Sequence, residues 1–99
     1  MAKTCNMLRV RVLEVGETEE VGTGGFKKRE LIGIIEGEYP QHFKFEFVQD
    51  KVSLLDEPIV MEGAYLNIHY NLRSRRVEST EKGKPDMFFL SLSGWKIEE

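Results

Sequence analysis

The chain has 99 residues, 40% hydrophobic and 31% charged, with a formal net charge of −3. That length fits one domain around one core and leaves no room for a separate catalytic domain. The acidic balance excludes a uniform polycation that would hold nucleic acid by bulk charge alone. Cys5 is the single cysteine, so an intramolecular disulfide and a thiolate-built zinc site are excluded. Arg9 and Arg11 break the only early apolar run, so no signal peptide is read and a cytoplasmic setting is expected. No run approaches the roughly 18 apolar residues of a membrane helix.

In chain order, residues 1–6 read as a loose tail and 7–98 as a single domain. From Met7 to Val15, Leu8, Val10 and Val12 alternate with Arg9 and Arg11, the pattern of a half-buried strand. Residues 16–25, with glycine at 16, 22, 24 and 25, read as a flexible connection. A second strand is expected over Phe26–Glu36, apolar on both faces towards its end, with Gly33 marking a bend or a barrel corner. Pro40 closes a turn. A third strand over His42–Val48 sets Phe43, Phe45 and Phe47 on one face. Asp50–Glu57 is the one short helix, with Asp50 as its cap and Pro58 as its stop. The fourth strand runs from Tyr65 to Arg75, with Leu66, Ile68, Tyr70 and Leu72 inward. Residues 78–86 form a hairpin loop, and Met87–Ile97 is the fifth strand. This order predicts an all-β fold: a five-stranded OB-fold barrel with one short helix between strands three and four.

Charge is segregated along the chain. Glu14, Glu17, Glu19 and Glu20 form an acidic stretch, whereas Lys27, Lys28 and Arg29 form one basic cluster and Arg73, Arg75 and Arg76 another, followed by Lys82 and Lys84. An acidic total can therefore contain a basic groove.

Several blocks resemble known families. Glu30 and Leu31, residues 36–40, Phe45–Lys51 and Leu92–Glu98 resemble a family of small bacterial OB-like proteins without an assigned function. Separately, Gly63–Arg76 is similar to the fourth strand of bacterial single-stranded DNA-binding proteins. The resemblance implies an OB-fold with an exposed face that accepts single-stranded DNA. Where both groups tend to carry an aromatic, this chain has Val48.

The residues themselves supply the matching chemistry. A groove that tracks a phosphate backbone needs cations along its length, and arginine also stacks on bases. Lys27, Lys28, Arg29, Lys44, Arg73 and Arg75 are expected on one surface, His69 beside them, and Arg76, Lys82 and Lys84 on an embracing loop. Phe89 and Trp95 share a strand face with Ser91 and Ser93, which marks them as wet and suited to stacking. The alternative use of the same cations is to keep strand edges soluble. Phe43, Phe45, Phe47, Tyr70 and Phe88 are read as core.

Other chemistries find little footing. The glycines at 22, 24 and 25 are not followed by Gly-Lys-Ser/Thr and a helix, so no phosphate loop is read. His42 and His69 lack further ligands at metal spacing, and no serine or cysteine has a base partner. The expectation is a binding protein, not an enzyme, without metal or cofactor. It would bind single-stranded DNA with little sequence preference, RNA remaining open, as a homodimer or larger assembly. The alternative is a protein-interaction or subunit-assembly module on the same fold.

Overall fold

A computed structural model describes residues 6–22 and 24–99. It contains six strands and one short helix: β1 (Asn6–Val15), β2 (Glu19–Val21), β3 (Phe26–Ile35), β4 (Gln41–Val48), a 3-10 helix over Gln49–Asp56, β5 (Tyr65–Val77) and β6 (Met87–Glu98). The strands form one sheet in the order β1-β5-β6-β4-β3-β2, and an added β1–β3 pairing closes it into a ring of five strands. All ladders are antiparallel except β4–β6, which is parallel. A closed five-stranded barrel with a short helix after the strand before β5 is the OB-fold.

Closure depends on β1 serving two neighbours. Its first half pairs with β5 from Asn6↔Tyr70 to Arg11↔Tyr65, and its second half with β3 from Arg11↔Ile34 to Val15↔Leu31. The register slips between Val12 and Glu14, so an extra residue bends the strand from one neighbour to the other. Gly33 sits opposite this bend. A Cβ there would meet Val10 Cγ2 at 2.5 Å, so only glycine lets the two strands cross this closely. The bulge is thus in β1, while Gly33 supplies the clearance.

The alternating residues fill the barrel as the periodicity dictates. Val10, Val12, Leu31, Phe45, Phe47, Leu55, Leu66 and Ile68 are buried, and each such side chain contributes about 1.5–3 kcal/mol relative to exposure. Gly94 makes room for Phe47, whose ring carbons lie 2.4 Å from where a Cβ would stand.

Four expectations are corrected. The flexible connection contains a strand: β2 pairs with β3 through Glu19↔Lys28, Glu20↔Lys27 and Val21↔Phe26, giving a sixth strand outside the ring. The helix is 3-10, begins at Gln49, and has no side-chain cap; Asp50 lies in its first turn instead. Glu57, before Pro58, is extended with ψ 141°, as the proline ring requires of its predecessor. The expected tail at 1–6 falls on residues 1–5, outside the described residues, together with Cys5, whereas Asn6 already pairs in β1. Finally, β5 and β6 outrun the barrel as a two-stranded arm. Leu72 (48% exposed) and Phe88 (70% exposed), read as inward or core, therefore stand in solvent.

Among the described residues no helix is long and apolar enough to cross a membrane.

Candidate nucleic-acid interface

β4 and β6 pair as strands at Phe45↔Leu92 and Glu46↔Ser93. Below that point they are held together at the barrel wall. Beyond it β4 stays with β3 through Gln41, while β6 stays with β5 through Met87 and Val77. The two strands diverge because each follows a different partner, and a cleft of about 1040 Å³ opens between them.

The cleft has three kinds of lining. Its floor is apolar: Phe43, Tyr70 and Leu92, all half-buried and packed on the core. One wall, from β3 and β4, presents Lys28, Glu46, Lys44 and His42. The other is the arm, which presents Arg73, Arg75, Ser91 and Phe89 from one face and Leu72, Ser74 and Leu90 from the other. Cross-strand pairing sets Arg73 opposite Ser91 and Arg75 opposite Phe89, and directly opposed residues project to the same face.

Charge differs between the two walls. Lys28 Nζ lies 3.2 Å from Glu46 Oε1, and Lys44 Nζ lies 3.2 Å from Glu30 Oε2 without the direction of a hydrogen bond. Both lysines are thus neutralised by diagonal neighbours. The hydrogen bond to Glu46 is the main reason that the Lys28 ammonium is held above its ordinary value, against a smaller opposing effect of burial. On the arm, Arg73 and Arg75 have no carboxylate partner among the described residues. The Arg75 guanidinium instead sits 5.5 Å from the centroid of Phe89, which is 46% exposed. A flat base has two ways to dock there: on the open side of the ring, or on the guanidinium as a third layer.

The structure gathers Lys28, Lys44, Arg73, Arg75 and Phe89 into this cleft and leaves the other expected residues elsewhere. Arg29 has the parity of core Leu31. Its Nε donates to the Gly16 carbonyl at 2.6 Å and its Nη1 to Asp56 Oδ1 at 2.7 Å. Its side chain is only 15% exposed, so it ties the β1–β2 connection to the helix. Lys27 lies opposite Glu20 in the β2–β3 ladder. Arg76 projects to the opposite face of the arm from Arg75 and pairs with Glu78 and Asp86. Lys84 pairs with Glu81 at 2.7 Å in the hairpin loop. Lys82 is exposed in that loop, outside the cleft lining.

Trp95 and His69 are also displaced. The β5–β6 register slips between His69 and Tyr70, from His69↔Lys96 to Tyr70↔Gly94, so Trp95 is the extra residue of a bulge. Its ring packs against His69 with centroids 5.2 Å apart and its indole nitrogen is buried without a partner. His69 in turn pairs with Glu98. Trp95 thus packs on His69, whose parity on β5 is that of Arg73 and Arg75, but it lies farther along β6 than Phe89 and outside the cleft lining. Conversely, the cleft uses residues the sequence reading passed over: Glu46 as the lysine's partner, and Tyr70 and Leu92 as floor. Their signal lay in the cross-strand pairing, which is not visible along a single strand.

Among the described residues no three His, Cys, Asp or Glu side chains are placed to hold a metal ion.

The fold and cleft define an OB-fold barrel with a basic, partly apolar groove beside a projecting hairpin. Residues 8–98 match the family described as Domain of unknown function (DUF3127), and the chain belongs to that family. No curated protein matches the sequence. Among solved structures, the mitochondrial single-stranded DNA binding protein Rim1 of S. cerevisiae is similar, with a TM-score of 0.70 at 13% identity over 99% of this chain and 95% of that one. So is the SSB domain of a Synechococcus protein, with a TM-score of 0.71 at 13% identity over 100% and 98%. At such identity the likeness is one of fold.

Proposed function

We propose that this chain binds single-stranded DNA in the cleft between β4 and the β5–β6 arm. The observation that carries the reading is the pairing, in one groove, of two uncompensated guanidinium groups with an exposed ring: Arg73 and Arg75 with Phe89. The fold shared with proteins named as single-stranded DNA binding supports it.

The mechanism has two parts. Arg73 and Arg75 take phosphates, an interaction open to any sequence. Bases lie against Phe89, Arg75 and the apolar floor, where stacking is worth about 1–3 kcal/mol per base. An unstacked single strand offers both surfaces at once, whereas a duplex hides its base faces. The reading involves no catalytic step and no cofactor. One OB module covers roughly 4–16 nucleotides, so a working assembly has several copies, and a homo-oligomer is part of the proposal.

The test is fluorescence anisotropy with end-labelled oligo-dT at low salt. Trp95 is a poor reporter because it lies outside the cleft lining. The expected result is saturable binding that unlabelled single strands compete away and duplex does not. Competition by oligo-U against oligo-dU, which share a base and differ at the 2′-hydroxyl, decides between RNA and DNA. Absence of binding at low salt ends the reading.

A second reading, a protein-assembly module, draws on the other face of the arm. Phe88 and Leu90 (69% exposed) project there with Leu72, and Leu72 and Leu90 also border the cleft; an apolar surface of this kind marks contact sites. Association through it would survive salt that weakens phosphate binding.

A further inference from the structure

The cleft lining contains one carboxylate, that of Glu46, amid Lys28, Lys44, Arg73 and Arg75. A free carboxylate in a phosphate-binding groove repels its ligand, yet this one is held in place. Lys28 Nζ contacts its Oε1 at 3.2 Å, which cancels its charge and fixes the side chain while leaving Oε2 available as an acceptor. Glu46 also lies on the wall whose lysines are already neutralised, at the closed end of the groove where it pairs with Ser93, and the uncompensated arginines stand on the arm beyond. Phosphates are therefore drawn to the arm, and base edges are turned to the wall. A carboxylate facing a base edge accepts hydrogen bonds from exocyclic amino groups, such as N4 of cytosine, and is repelled by carbonyl oxygens such as O4 of thymine.

From this we infer that Glu46 makes the groove selective for amino-bearing bases: it binds a cytosine-rich single strand more tightly than a thymine-rich strand of equal length. The inference rests on the proposed single-strand binding and adds a base-edge contact to the sequence-independent ones. A single such contact corresponds to roughly a tenfold preference. Lys28 acts here as a positioning residue. It holds the carboxylate and need not touch phosphate.

The experiment measures Kd for labelled oligo-dC and oligo-dT of one length, with the wild type and with Glu46→Gln and Glu46→Leu. The wild type is expected to favour oligo-dC about tenfold. In Glu46→Gln the amide can donate to thymine as readily as it accepts from cytosine, so the ratio falls to about one, mainly through tighter oligo-dT binding. Glu46→Leu, which has neither donor nor acceptor, also brings the ratio to about one. Equal wild-type affinities for both strands overturn the inference and leave the binding reading standing. A preference for oligo-dC that persists in both variants also overturns it, since the preference then comes from the strands themselves. If the wild type binds neither strand, the binding reading fails and the selectivity fails with it.

Discussion

Replacing Arg73 and Arg75 by alanine is the most direct perturbation of the proposed interface. Both project to one face of the arm, and neither has a carboxylate to leave unpaired on removal. The substitutions should therefore act on binding and leave stability within about 0.5 kcal/mol, as at ordinary exposed sites. A charged hydrogen bond is worth about 1.5 kcal/mol at the weaker end, which is roughly tenfold in Kd. The double variant should lose somewhat less than a hundredfold, because two residues on one strand face share phosphates and are not independent. Salt dependence gives a second number. Two phosphate contacts to a single strand imply a slope of log K against log salt of about −1.4. The ion-paired Lys28 and Lys44 add little. Anisotropy titrations with oligo-dT at several salt concentrations measure both quantities. In the double variant the slope should fall towards zero. A double variant that keeps wild-type affinity, or a wild-type slope of −3 or steeper, refutes the assignment of phosphate contacts to these two arginines.

Other outcomes separate structural from binding roles. Arg29→Ala removes the bonds to Gly16 and Asp56 and should cost about 2 kcal/mol of stability by urea unfolding, with oligo-dT affinity unchanged. Gly94→Ala drives a methyl into the Phe47 ring; overpacking of this kind costs about 1–3 kcal/mol, visible as a lower Tm. Just after β3, Glu36 accepts hydrogen bonds from Arg11 at 3.0 Å and from Tyr65 at 2.8 Å. Arg11 first, then Tyr65, holds the Glu36 carboxyl below its ordinary value of 4.5. The folded value lies below the unfolded one, so this network stabilises the protein above the ordinary value, and that contribution is lost as pH falls through the lowered one. The difference in urea midpoint between wild type and Glu36→Gln, measured at neutral pH, should shrink as the pH is lowered below 4.5.

The strands were legible because burial imposes a period of two on any half-buried strand. Phe45, Phe47, Leu66 and Ile68 sit where their alternation put them, and the hairpin loop spans residues 78–86 as read. β2 was hidden because all three of its residues are exposed, so no alternation announces it. Phe88 and Leu72 were misread because period alone cannot tell where a strand leaves the barrel.

The candidate site divides in the same way. Arg73 and Arg75 could be proposed from the chain because two residues of equal parity on one strand share a face. Arg29 shares parity with a core residue, yet its long side chain reaches the Gly16 carbonyl and Asp56, 13 and 27 residues away in sequence. Trp95 packs on His69 at a β6 bulge and lies outside the cleft lining, which the alternation along β6 alone does not reveal. The sequence by itself determined the five strands of the ring, the barrel class and the basic character of the arm, since these follow from periodicity and local chemistry. Only the tertiary structure decided which cations are already neutralised, which ring faces the groove, and that a groove exists at all. The neutralised lysines follow from the β3–β4 register, and the groove from the divergence of β4 and β6, each of which keeps its own partner.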